Sequence, residues 1–223
     1  MNKLFLLTVF VVMVSFNASA QKELTYLALG DSYTICESID TNRQWPKQLV
    51  NQLNAKDVKI ELSKIIAKTG WRTDDMMKAA KKEVKKNKYD LVSLLIGVNN
   101  EYQGWDPIKF KPEFEDCLDY AIEHCSKGKA GVFVVSIPDY GYTPFGAKKQ
   151  QIISARLDLY NLICKNVAKE KGVAFYDITP ISRQDRTDKT LVAKDGLHPS
   201  ANQYQLWVNS FVSKVYKQCT AKK

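Results

Sequence analysis

The sequence predicts an α/β fold, a parallel sheet with helices against both faces. Five short apolar runs recur along the 223 residues, and helical repeats of apolar residues lie between them. Three of the runs are apolar nearly throughout, as strands covered on both faces must be. Strand and helix alternate, which favours parallel over antiparallel pairing. The length suits one domain with a full hydrophobic core, predicted over residues 21–223.

The chain opens with "MNKLFLLTVFVVMVSFNASA": a lysine, an apolar stretch from Leu4 to Val14, then small residues ending at Ala20. This reads as a secretory signal peptide over residues 1–20, cleaved after Ala20. The alternative, a membrane anchor, is disfavoured because the apolar stretch is too short to span a bilayer. No cysteine follows the cleavage site to carry a lipid, so stable membrane insertion is not expected. The expected setting is secreted or periplasmic.

The five strands are expected at Thr25–Leu29, Val58–Ile66, Leu91–Ile96, Val132–Ile137 and Val173–Tyr176. A first helix is expected over residues 45–55. Met76, Ala80 and Val84 mark the next, and Phe114, Leu118, Ala121 and Cys125 another. Ile153, Leu157, Tyr160, Cys164 and Val167 mark a long helix that Gly172 closes. Tyr204, Val208, Phe211 and Val215 mark the last, with Ser200 and Gln203 at capping-box spacing at its start.

The formal net charge is +9, and loss of Lys3 with the leader makes it +8. Many lysines fall in "KAAKKEVKKNK", residues 78–88. The favoured reading is the solvated face of an amphipathic helix; the other is a patch for acidic glycans or a membrane surface. Basic and aromatic residues are not interleaved, so a nucleic-acid partner is not expected. Cys36, Cys117, Cys125, Cys164 and Cys219 make an odd count, which leaves at least one thiol unpaired. Cys117, Cys125 and Cys164 lie on apolar helical stripes, so buried thiols are the default, and no spacing resembles a zinc site.

Ligands of parallel sheets bind beyond the carboxyl ends of the strands. Gly30-Asp31-Ser32 follows the first strand, "AKTGWRTDD" with Gly70 the second, and Gly97-Val98-Asn99-Asn100 the third. Asp195 and His198, in "KDGLHPSANQ", follow the fifth. Each alone reads as a turn or a cap. Together they supply a nucleophile, a base and an orienting group. The Asp195 carboxylate, three residues before His198, can reach Nδ1–H of that imidazole and leave Nε2 free to take the Ser32 proton. Ser32 opens a helix and offers its backbone N–H, Gly70 can bring its N–H close, and Asn99 offers a side-chain amide, three donors for a developing oxyanion. His124, the only other histidine, lies among core residues and is expected to be structural.

These residues resemble the SGNH, or GDSL-type, esterase and lipase family. Its four blocks read here "LALGDSYT", "KTGWRTDD", "LLIGVNNEYQG" and "DGLHPSANQYQLW", in the family's order. The resemblance implies a flavodoxin-like three-layer α/β/α sandwich around a five-stranded parallel sheet. It implies Ser32 as nucleophile, Asp195 and His198 as its triad partners, and Ser32, Gly70 and Asn99 as the oxyanion hole. One departure is Asn100, where the third block commonly has aspartate. Thr34 stands where the Gly-X-Ser-X-Gly elbow of α/β-hydrolases would place its second glycine, which disfavours that assignment.

The expected reaction is hydrolysis of a carboxylic ester through an acyl-serine intermediate, with no metal or organic cofactor. The chain is near minimal for the fold and has no long apolar lid, which favours a short acyl group; acetyl esters of carbohydrates come first. A lysophospholipase or thioesterase is the alternative within the class, and an exported, non-catalytic glycan- or surface-binding module the alternative outside it. Tyr102 and Trp105, just after Asn99, are expected either to line the substrate pocket or to pack at its edge. The sequence leaves the oligomeric state open.

Overall fold

The structure, a computed structural model, describes residues 22–221. The signal-peptide expectation falls outside the described residues. The elements in chain order are β1 (Leu24–Asp31), α1 (Ser32–Ile35), α2 (Trp45–Asn54), β2 (Ile60–Lys68), α3 (Thr73–Val84), β3 (Leu91–Leu95), α4 (Val98–Tyr102), α5 (Pro107–Glu123), β4 (Val132–Val135), α6 (Gln150–Lys171), β5 (Ala174–Tyr176), α7 (Thr179–Ser182) and α8 (Ala201–Thr220). The strands form one parallel sheet in the order β2-β1-β3-β4-β5.

That order follows from where the apolar residues lie. β3 and β4 are buried at every position, so they must sit inside the sheet and be covered on both faces. β2 alternates buried and exposed positions and takes an edge. Right-handed crossovers put α2 on one face and α3, α5 and α6 on the other, because the chain reverses direction across the sheet after β2. α8 returns to the face of α2 and packs on it. There Trp45 of α2 and Phe211 of α8 meet edge-on at 6.1 Å, above Phe133 of β4. On the opposite face, Phe110 of α5 stacks on Tyr160 of α6 at 4.3 Å.

β2 runs two residues later than expected, from Ile60 to Lys68 instead of from Val58 to Ile66. The Asn54 side chain brackets Ile60, accepting from its N–H and donating to its carbonyl, both at 3.0 Å, which sets where the strand enters the sheet. At the other end, pairing continues through Asp31 opposite Lys68. Ser200 caps α8 as expected, its hydroxyl accepting from the Gln203 N–H at 3.3 Å. The Gln203 side chain does not complete the box; it donates to the Leu191 carbonyl at 3.0 Å and to Asp185.

The chain leaves β1 toward β2 on one side and enters β3 on the other. The carboxyl ends of β1 and β3 therefore flank the switch point, where such sheets open a crevice. Gly30 lets the two strands and α1 meet there: a Cβ on it would lie 2.1 Å from Thr34 Oγ1 and 2.3 Å from the Leu95 carbonyl oxygen. Gly97, at the matching end of β3, has φ +126° and faces the Phe110 ring, so a side chain is excluded on both counts.

All five cysteines are free and buried, each on a different element or turn. His124 is buried, with Nδ1 2.9 Å from the Asn87 carbonyl oxygen. Among the described residues, no helix is long and apolar enough to cross a membrane.

Candidate active site

Ser32 is the first residue after β1 and opens α1, a single turn. Asp31, wholly buried, caps that turn by accepting from the Tyr33 N–H at 3.0 Å. Burial pushes its carboxyl up to about 7 against the backbone hydrogen bonds, and its second oxygen has no partner among the described residues. Cys36 ends the turn at φ 55°. Ser32 is thus held at a sharp strand-to-helix corner, only 4 % exposed, with a backbone N–H that has no intrahelical acceptor.

Asp195 and His198 lie in the loop before α8. The bridge between Val192 and Pro199, and a 2.7 Å bond from the Ala193 N–H to the His198 carbonyl, close this loop on itself. Asp195 Oδ1 accepts from the N–H groups of Leu197 and His198 at 2.9 and 3.0 Å. Its Oδ2 lies 2.7 Å from His198 Nδ1 and accepts from the Ser38 hydroxyl at 2.6 Å. Partial burial would raise the carboxyl; the hydrogen bonds from Ser38, Leu197 and His198 outweigh it and hold the group at about 2. An ionised carboxylate at Nδ1 fixes the proton there and leaves Nε2 as the acceptor. The Tyr33 ring meets the imidazole edge-on at 5.4 Å.

Ser32 and His198 line one cavity of about 190 Å³. Their side chains are not hydrogen-bonded to each other; such contacts often tighten only around substrate. Asn99 adds a polar group to the wall, and Tyr33, Val98, Tyr102, Tyr140, Phe145 and Leu197 supply the rest. Asn99 Nδ2 donates to the Trp71 carbonyl at 2.8 Å, which ties α4 to the turn after β2 and leaves one amide hydrogen uncommitted.

The other expected site residues divide. Tyr102 is on the cavity wall and 60 % exposed. Gly70 is not on that wall. It stands at the turn beyond β2 with φ +81°, and its N–H has no acceptor among the described residues. Trp105 is not on that wall either and takes the edge position, the second of the two expectations for it. Gly104, at φ +77°, turns the chain away after α4, and the indole packs under the Arg72 guanidinium at 5.1 Å. The Trp105 N–H donates to the Asn100 carbonyl at 2.9 Å and its own carbonyl accepts from the Tyr160 hydroxyl at 2.9 Å, so it braces the edge of the site.

Asn100 has a definite place. It is fully buried, its Oδ1 accepts from the Thr73 N–H at 3.2 Å, and its Nδ2 donates to Thr73 Oγ1 at 2.8 Å. Thr73 in turn donates its hydroxyl hydrogen to Glu113. An amide can both accept and donate here, whereas an ionised carboxylate can only accept.

Three contributors have no counterpart among the expected residues. Ser38 supports Asp195 from 157 positions away, and nothing local marks it. Tyr140 and Phe145 lie in "SIPDYGYTPF", just after β4, where a search of every strand end would have met them. Among the described residues, no group of three or more His, Cys, Asp or Glu side chains is arranged to hold a metal ion.

A profile of the GDSL-like lipase/acylhydrolase family matches residues 28–206, most of the chain and every residue discussed above from Ser32 to His198. The chain belongs to that family. Membership makes this GDSL-like acylhydrolase a serine-dependent carboxylic ester hydrolase. No curated protein matches it by sequence. Solved structures share its fold at low identity. A lipase/acylhydrolase from Enterococcus faecalis is 18 % identical with a TM-score of 0.70, covering 90 % of this chain and 99 % of its own. An alpha/beta hydrolase enzyme from the metagenome of Lake Arreo, Spain, is 16 % identical with a TM-score of 0.70, covering 89 % and 97 %. An acetylxylan esterase from Geobacillus stearothermophilus is 19 % identical with a TM-score of 0.67, covering 86 % and 94 %. The five-stranded parallel sheet of this acylhydrolase is the fold of these neighbours.

Proposed function

We propose that this acylhydrolase cleaves short-acyl carboxylic esters, acetyl groups on carbohydrates foremost, outside the cytoplasm and through an acyl-serine intermediate on Ser32. The observation that carries the reading is the 2.7 Å contact between Asp195 Oδ2 and His198 Nδ1, with Ser32 and that same imidazole lining one small cavity.

On this reading, His198 Nε2 takes the Ser32 proton as Oγ bonds to the ester carbonyl carbon. The carbonyl oxygen gathers the negative charge facing the Ser32 N–H and the free hydrogen of the Asn99 amide; the family resemblance assigns a third donor to the Gly70 N–H, which the turn beyond β2 would have to bring in from outside the cavity wall. Collapse breaks the ester C–O bond, and the imidazolium returns its proton to the departing alcohol. Water, deprotonated by His198, then releases the acid and restores Ser32. Asp195, ionised throughout, steadies the imidazolium.

A volume of about 190 Å³ favours an acetyl or similarly short group; drug-sized ligands typically occupy about 300 Å³ or more. The fold likeness to an acetylxylan esterase supports a carbohydrate ester. Residues 1–20 support export, with cleavage after Ala20. N-terminal sequencing of the exported protein tests that point and should begin at Gln21. Turnover is tested with p-nitrophenyl esters of rising chain length. Acetate should be hydrolysed fastest and Ser32→Ala should abolish the activity; equal inertness of both proteins at every chain length would overturn the proposal.

A further inference from the structure

The catalytic cavity does not end at its aromatic wall. Tyr102, Tyr140 and Phe145 also line an outer depression of about 480 Å³, whose far side carries Lys148, Lys149, Ile152 and Arg156. A substrate with its ester at Ser32 that extended over these three rings would enter the depression that holds the lysines.

The charges here are unequal. Arg156 is matched by the buried Glu101, with Nε 3.0 Å from Oε1 and Nη2 donating to the Glu101 carbonyl at 2.8 Å. The other Glu101 oxygen accepts from the Tyr140 hydroxyl at 2.8 Å. The nearby acids Asp139 and Asp158 both turn to Arg183, at 3.0 and 2.5 Å. Lys148 and Lys149 are exposed and pair with no acid among the described residues. The depression therefore keeps two uncompensated cations. Beside them Tyr102, Phe145 and Ile152 are 60, 52 and 65 % exposed. An exposed apolar patch rimmed by charge, sharing three side chains with the cavity at Ser32, has the character of a ligand-binding surface.

We propose that this depression is a subsite for an anionic group, carboxylate or phosphate, on the part of the ester beyond the scissile bond, held by Lys148 and Lys149 over the Tyr102 and Phe145 rings. The proposal rests on the esterase reading and names the substrate class it leaves open: acidic esters ahead of neutral ones.

The test uses three acetate esters with closely similar scissile bonds: 3-(4-acetoxyphenyl)propanoate, its neutral primary amide, and the corresponding phosphonate. The wild-type protein should favour the anions over the amide in kcat/KM by about tenfold at low salt, in line with two exposed charge contacts. The preference should fall toward unity in 0.5 M NaCl. Lys148→Gln/Lys149→Gln should remove it while leaving kcat/KM for the amide within twofold. A larger gain for the phosphonate than for the carboxylate would assign the subsite to phosphate, and the reverse to carboxylate. An unchanged anion-to-amide ratio in the double variant overturns the subsite while leaving the esterase reading intact. Binding of the same probes to Ser32→Ala separates the two ideas. Tighter, lysine-dependent binding of the anions with no wild-type turnover would support the subsite and reject the esterase, whereas equal binding of anions and amide would reject the subsite.

Discussion

The backbone N–H of Phe145 donates to the Gly196 carbonyl across 3.0 Å. This bond joins the aromatic wall of the cavity to the loop that carries Asp195 and His198. The wall can therefore be altered at its side chain without cutting the tie. Phe145→Ala keeps the backbone bond and removes the ring, so the cavity should accept longer acyl chains. We expect kcat/KM for p-nitrophenyl hexanoate, relative to acetate, to rise about tenfold, the scale of one or two buried methylenes. An unchanged ratio would show that the ring does not limit acyl length.

Asn99 spends one amide hydrogen on Trp71 and has one uncommitted, the one proposed for the oxyanion. Asn99→Ala should lower kcat by about 100-fold or more with KM nearly constant, the signature of a lost transition-state donor. A rise in KM at constant kcat would instead mark Asn99 as a binding residue. A melting curve for the same variant isolates the cost of losing the Trp71 tie.

Asn100→Asp removes the N–H that meets Thr73 Oγ1 and puts a charge in a fully buried position. Destabilisation by about 1–3 kcal/mol is expected at neutral pH. The loss should shrink in acid, where the new carboxyl can protonate. Equal melting temperatures for variant and wild type at pH 8 would contradict the hydrogen bonding described for Thr73.

Asp31 carries a stability signature of its own. Its folded pKa of about 7 lies above the ordinary 3.8. Between these values the folded chain holds a proton that the unfolded chain has released, so stability falls as pH rises through this window. From pH 5 to pH 8 the group costs on the order of 3 kcal/mol, less whatever local relaxation recovers. Asp31→Asn keeps the acceptor for the Tyr33 N–H and removes the titration. Its melting temperature relative to wild type should climb by several degrees between pH 5 and pH 8; a constant difference would show that the buried carboxyl does not titrate in that range.

Asp195, held at about 2, stays ionised wherever the enzyme is assayed. Ser38→Ala removes one of the hydrogen bonds that hold this carboxylate down and should lower the rate several-fold, through looser support of Asp195. An unchanged rate would show that the Ser38 hydroxyl does not contribute to that support.

The sheet was legible in the sequence because strands buried on both faces must be apolar nearly throughout, as in "LVSLL" and "VFVV". The corner at Ser32 and the pairing of Asp195 with His198 were legible because their geometry is local: a strand end in one case, a three-residue turn in the other. The bounds of β2 were not, since Asn54 sets them from the preceding helix. Ser38 was hidden for the same reason, being joined to Asp195 only by the fold. Trp105 stayed open between wall and edge because nearness in sequence to Asn99 does not show the turn that Gly104 imposes. Tyr140 and Phe145 were within reach of the strand-end rule, had it been applied after β4 as well.

The five cysteine sulfurs, each enclosed and none bonded to another, bear on how the protein is made. Its core closes without oxidative cross-linking, so folding needs no disulfide-forming partner. Dithiothreitol should leave the melting temperature unchanged, and material produced in a reducing compartment should match material produced in an oxidising one in structure and in rate.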